Sequence, residues 1–243
     1  MKFMLRIFIA ALLLFGPEQL ATSQQPMEKG TWSFRDGLPN AVTFVYGTKL
    51  TAKDLSQLSQ CTRLTHVMMG NAGIDSEYVT IEGDLTALGK LKNLVELHLC
   101  KDGIHDDDLK FIALLPKLEV LEFNADNGYE GAPICTDKSA KHLSAAKTLR
   151  SLTIHDGNLT DAFVATITEN LHHLETLSLS SSQLTDESLR MISERCNKLK
   201  SLSISSENFT VEGLKQLDKM KRLEQRRVIS PALRKTRALK GIQ

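Results

Sequence analysis

The sequence predicts an α/β solenoid, a stack of strand-turn-helix units that share one core. The first observation is a recurring hexad: LTHVMM at 64, LVELHL at 94, LEVLEF at 118, LRSLTI at 149, LETLSL at 174 and LKSLSI at 199. Each hexad alternates apolar and polar residues as a half-buried strand does. The second is an apolar residue ten positions after most starts (Ile74, Ile104, Leu159, Leu184, Phe209), followed by helical spacings such as Val164, Ile167 and Leu171. The third is the interval between starts, 30, 24, 31, 25 and 25 residues, a tandem period near 24 to 25.

The elements follow in order. MKFMLR, the apolar run IFIAALLLF and a small-x-small pattern at Ala21-Thr22-Ser23 make residues 1–23 a signal peptide, so a secreted or periplasmic location is expected. The apolar run is shorter than the roughly 20 residues a membrane helix needs. Residues 24–63 are expected to form an N-terminal cap and a first irregular repeat, because WSFRDGLPNAVTFVYG alternates like a strand but has Asn40 where a Leu would start a hexad. Residues 64–222 hold the six repeats.

Residues 184–205 show how one unit works. Thr185 caps a helix whose start is favoured by Asp186 and Glu187, while Leu189, Ile192 and Cys196 share a helical face. The hexad that follows returns to period two. No unit buries both faces alone, so units must stack. Residues 223–243 form a C-terminal cap and basic tail: Arg226 occupies an inward strand position of LEQRRV, and Ser230-Pro231 to Gly241 reads as a short helix bearing Arg234, Lys235, Arg237 and Lys240. Two repeats are lengthened after the strand, by EYVTIEGD near Tyr78 and by ADNGYEGAP around Tyr129.

These units, LxxLxL followed by LTDxxL, resemble the leucine-rich repeat family, in the ribonuclease-inhibitor-like and cysteine-containing-like subtypes, over about residues 40–228. The resemblance implies a curved leucine-rich repeat solenoid with parallel strands on the concave side and helices on the convex side. The usual turn asparagine is replaced by Ala72, Asp102, Gly157, Ser182 and Glu207, so a buried asparagine ladder is not expected.

Charge is unevenly distributed. Residues 219–243 hold nine Lys and Arg against Glu224, whereas residues 24–218 hold 19 basic and 27 acidic residues. Cys61 and Cys196 occupy equivalent helix-end positions about five units apart, which at about 4.8 Å per strand is far beyond the roughly 7 Å a disulfide spans. They are expected to be buried small hydrophobes. A Cys100–Cys135 bridge is left open. So is glycosylation of the sequons at Asn158 and Asn208, whose middle residues fill core positions. No nucleophile elbow, metalloprotease helix, CxxC or phosphate loop is present, and neither a cofactor nor specific nucleic-acid binding is expected.

The outward strand residues supply the candidate ligand-binding site. His66 is expected to face Glu96, and His98 to face Glu122, with Asn124, Arg150 and His155 close by and Tyr78 and Tyr129 in the flanking loops. Later repeats show mostly Ser and Thr. The reading that follows is a secreted, non-catalytic binding module for a protein or other macromolecular ligand. A surface-attachment protein acting on anionic polymers or lipids through Arg226, Arg227, Arg234, Lys235, Arg237 and Lys240 is the alternative, and a metal-dependent hydrolase a more distant one.

Overall fold

A computed structural model describes residues 32–34, 41–44, 49–69, 80–82, 84–99, 104–124, 135–155 and 157–231. Its strands are β1 (Trp32–Phe34), β2 (Ala41–Phe44), β3 (Lys49–Thr51), β4 (His66–Met69), β5 (Thr80–Glu82), β6 (Glu96–Leu99), β7 (Val120–Asn124), β8 (Ser151–His155), β9 (Thr176–Ser180), β10 (Ser201–Ser205) and β11 (Gln225–Ile229). Nine of them form one sheet in the order β1-β2-β4-β6-β7-β8-β9-β10-β11. Seven consecutive pairings are parallel, and β1 closes the first edge antiparallel to β2. The open-ended parallel order makes this an α/β solenoid, not a closed barrel. β3 and β5 pair separately.

Helices return the chain from one strand to the next: α1 (Ala52–Leu58), α2 (Ala140–Leu143), α3 (Asp161–Asn170), α4 (Asp186–Arg195) and α5 (Val211–Gln216). Residues Leu85–Lys90 and Asp106–Leu114 are 3₁₀ helices instead. Apolar spacing explains the difference. Leu85, Leu88, Leu91 and Leu94, like Leu109, Ile112, Leu115 and Leu118, recur every third residue, which matches the three residues per turn of a 3₁₀ helix. In α3 the buried positions Phe163, Val164 and Ile167, continued by Leu171 just past its end, follow the α-helical period. Among the described residues no helix is long and apolar enough to cross a membrane.

One core runs the length of the stack. Leu97, Leu121, Leu152, Leu177 and Leu202 of successive strands are buried side by side, and the helices cover them from below. Cys61, Cys135 and Cys196 are buried free thiols, so Cys135 is not bridged, while Cys100 lies outside the described residues. Burial pushes the Cys61 thiol up to about 11 and those of Cys135 and Cys196 to about 12. They are inert packing groups.

Two hydrogen-bond ladders fix how units meet. The helix-capping Thr136, Thr160, Thr185 and Thr210 each accept a bond from their own helix start. Each also donates, through its backbone N–H and its hydroxyl, to the first-turn aspartate of the preceding unit: Asp106, Asp137, Asp161 and Asp186 in turn, at 2.5–3.0 Å. Asp161 also accepts from the Ser188 hydroxyl. Burial opposes its charge, but bonds from Ser188 and Thr185 outweigh that and hold its carboxyl below the usual range. The position equivalent to Asp186 in the last unit is Val211, so the ladder stops there.

The second ladder stands where the family resemblance leads one to look for asparagine, one residue before the turn position. Ser181 Oγ donates to the Leu159 carbonyl at 2.7 Å, Ser206 Oγ to Leu184 at 2.6 Å and Ser230 Oγ to Phe209 at 3.3 Å. All three serines are buried. A short hydroxyl thus ties each of these three turns to the previous unit, in the role a longer amide could fill.

Two outcomes are expected. Deleting one whole unit, residues 174–198, places Thr210 over Asp161 and should leave a cooperatively folding protein by circular dichroism, whereas deleting 12 residues from the same region should not. Asp161→Ala orphans the donors of Thr185 and should lower urea stability by about 1–3 kcal/mol.

Candidate functional site

The alternation that buries Val67, Leu97, Leu121 and Leu152 turns the residues between them to the open face of the sheet. Parallel register then sets His66 beside Glu96 and His98 beside Glu122, as the spacing predicts, and Asn124 opposite His155. The side chains join into one line across four strands. His66 Nε2 lies 3.6 Å from Glu96 Oε2, and His98 Nε2 lies 2.7 Å from Glu96 Oε1. His98 Nδ1 lies 2.9 Å from Glu122 Oε2, and His155 Nε2 lies 3.5 Å from Glu122 Oε1.

His98 is the centre of this relay and its side chain is only 17% exposed. Both of its ring nitrogens face carboxylate oxygens, and only the imidazolium can donate from both. The bond to Glu122 and then that to Glu96 raise its pKa above the ordinary histidine value, against the opposing effect of burial. Glu122 is held down to about 2 by His155 and His98. Among the described residues no group of three or more His, Cys, Asp or Glu side chains is placed to hold a metal ion. The relay is linear, and its members do not converge on a point.

A second row, Glu119–Arg150–Glu175–Lys200, runs along the strand starts at 3.5, 2.8 and 2.6 Å. Lys200, then Arg150, lowers the Glu175 carboxyl below its usual range. Sequence reasoning picked out Arg150 and missed the Glu175 and Lys200 partners, although all four occupy equivalent places just before a strand. Thr65 Oγ1 lies 2.8 Å from His66 Nδ1, which orients that ring from its own chain neighbour.

From β9 onward the open face changes character. Thr176, Ser178, Ser180, Ser201, Ser203 and Ser205 form a half-buried hydroxyl plane without charge. At its far end Ser180, Ser182, Ser205, Glu207, Ile229 and Pro231 help line a shallow cleft of about 270 Å³. Arg226 and Arg227 both lie on β11: Arg226 is exposed and paired with Asp218 at 2.6 Å, and Arg227 stands in register with Ser203. Tyr78, Tyr129, Arg234, Lys235, Arg237 and Lys240 lie outside the described residues, as do residues 1–23. The sequon asparagines Asn158 and Asn208 are exposed, while their threonines serve the capping ladder.

No family model and no curated protein sequence matches the chain. Among solved structures, a Bacteroides fragilis protein is similar at 16% identity and a TM-score of 0.45, over 74% of this chain and 60% of its own. The complex of Rad7 and Elc1 in yeast is similar at 18% identity and a TM-score of 0.36, over 73% of this chain and 52% of the matched one. The chain thus spans about half to three fifths of those proteins.

The acid side of the relay's pH dependence has a definite sign. The folded pKa of Glu122 is depressed from 4.5 to about 2, so its contribution is complete above 4.5 and is lost as pH falls towards 2. Wild-type protein should lose about 2 kcal/mol over that interval from this group, and Glu122→Gln should remove that part of the slope in urea titrations.

Proposed function

We propose that the chain is an exported, non-catalytic leucine-rich repeat module that binds a protein partner on the open face of β4 to β8. The observation that carries this reading is the histidine-carboxylate row across β4, β6, β7 and β8, with the Glu119–Arg150–Glu175–Lys200 row along the starts of β7 to β10, beside a neutral hydroxyl plane on the same face. A partner that docks there meets side chains already held by their neighbours, so less rotamer freedom is lost on association. Charge, imidazole and a guanidinium are concentrated in the early units, and electrostatic complementarity at such a patch gives specificity and a fast encounter. Export rests on the N-terminal segment, and family membership on the repeated LxxLxL and LTD text together with the strand order.

A second reading, attachment to anionic polymers or lipid headgroups, is favoured by the exposed Lys221, Arg222 and Arg227 at the C-terminal end. No ion-pair partner holds these three among the described residues, in contrast to Arg150 and Lys200.

The two readings separate experimentally. Protein captured from the native envelope by the immobilised mature chain should be lost, by about tenfold or more in affinity, on Glu122→Ala or Arg150→Ala and retained on Ser178→Ala or Ser203→Ala. The reverse ranking overturns the open-face assignment. Retention of the full-length chain, but not of residues 1–218, on heparin or anionic vesicles at low salt would instead favour the second reading.

A further inference from the structure

We propose that His66, Glu96, His98, Glu122 and His155 form a proton-operated latch, which holds β4, β6, β7 and β8 in one arrangement at mildly acidic pH and releases it as the solution becomes alkaline. The inference rests on the reading of this face as the binding face and supplies its regulation.

The geometry gives His98 a role the other two histidines lack. Its contacts at 2.7 and 2.9 Å join Glu96 on its own strand to Glu122 on the next, whereas His66 and His155 stand 3.6 and 3.5 Å from their carboxylates. Loss of one proton from His98 therefore removes one of its two donors. Glu96 and Glu122, on adjacent strands, would then share the open face with no cation between them, and like charges so placed are destabilising.

The surroundings contain little that could replace that proton. On β4, His66 and the uncharged Met68 face this part of the sheet, and Met68 is in register with His98. On β7 the facing group is Glu122, and on β8 the groups beyond it are Thr153 and His155. Below lie Leu97, Leu99 and Leu121, all fully buried. Arg150 belongs to the other row and is engaged with Glu119 and Glu175.

The sign follows from the two shifts. The folded pKa of His98 is raised above 6.5, so its contribution is complete below 6.5 and lost as pH rises through the folded value. That of Glu122 is complete above 4.5. The latch is therefore fully closed between 4.5 and 6.5. β9 and β10, whose open-face residues are Ser and Thr, have no such dependence.

Amide hydrogen exchange of the full chain between pH 5 and 9, corrected for the intrinsic exchange rate, tests this without any partner. Protection in 94–99 and 118–124 should be level up to about 6.5 and then fall, by at most about tenfold per pH unit for a single proton, relative to 176–180 and 201–205. His98→Gln, checked by circular dichroism for retained fold, should show lower protection in the same segments with a weaker pH dependence than wild type. A histidine ring resonance of wild-type protein should also titrate above 6.5 and disappear in His98→Gln. The latch is overturned if the early and late strands lose protection in parallel, if His98→Gln keeps the wild-type dependence, or if every histidine titrates at or below the ordinary value. A failed latch leaves the protein-binding reading intact, and absence of a captured partner leaves the latch intact.

Discussion

Each unit of this protein depends on landing in one position against the unit before it, and from Asp106 to Thr210 the threonine-to-aspartate bonds between successive helix caps set that position. Burial forbids a one-residue slip but is less decisive about a slip of two, after which Leu again meets Leu. A capping threonine permits neither. Its N–H and hydroxyl both need the carboxylate of the preceding helix, and that carboxylate sits where the first helical turn favours negative charge. One side chain thus serves its own helix and anchors the next.

The same register carries the candidate site. A shift of one residue in β6 or β7 would turn Glu96, His98 and Glu122 into the core and bring Leu97 and Leu121 to the surface. The ion rows exist because the helix layer and the buried leucines forbid that shift. Buried serines at the turns after β9 and β10 hold the later strands from their other end. The open face is therefore a consequence of contacts made on its opposite side and at its rims.

Much of this was legible in the sequence, for identifiable reasons. Six hexads with a constant phase make Leu97 or Leu177 inward and their neighbours outward, so the His66–Glu96 and His98–Glu122 pairs follow once strands are stacked. The Glu96–His98 contact within one strand was less visible, since it depends on one ring bridging two carboxylates. LTD text announces a helix cap but is silent about the neighbour that the threonine and aspartate also bind. The serine ladder was hidden by an offset of one residue from the turn position. The every-third spacing of Leu85, Leu88, Leu91 and Leu94 was present in the sequence, yet it separates a 3₁₀ helix from an α-helix by a single residue per unit.

Val211 gives the array a defined length. The threonine-to-aspartate bond cannot recur beyond Asp186, because a cap placed over Val211 would meet an exposed apolar side chain that offers no acceptor. At the other end the antiparallel β1 lies where a parallel strand would have to join. Stacked repeats are in principle open polymers. Here the threonine-to-aspartate ladder ends at Asp186, and at the other end the parallel pairing ends at β2.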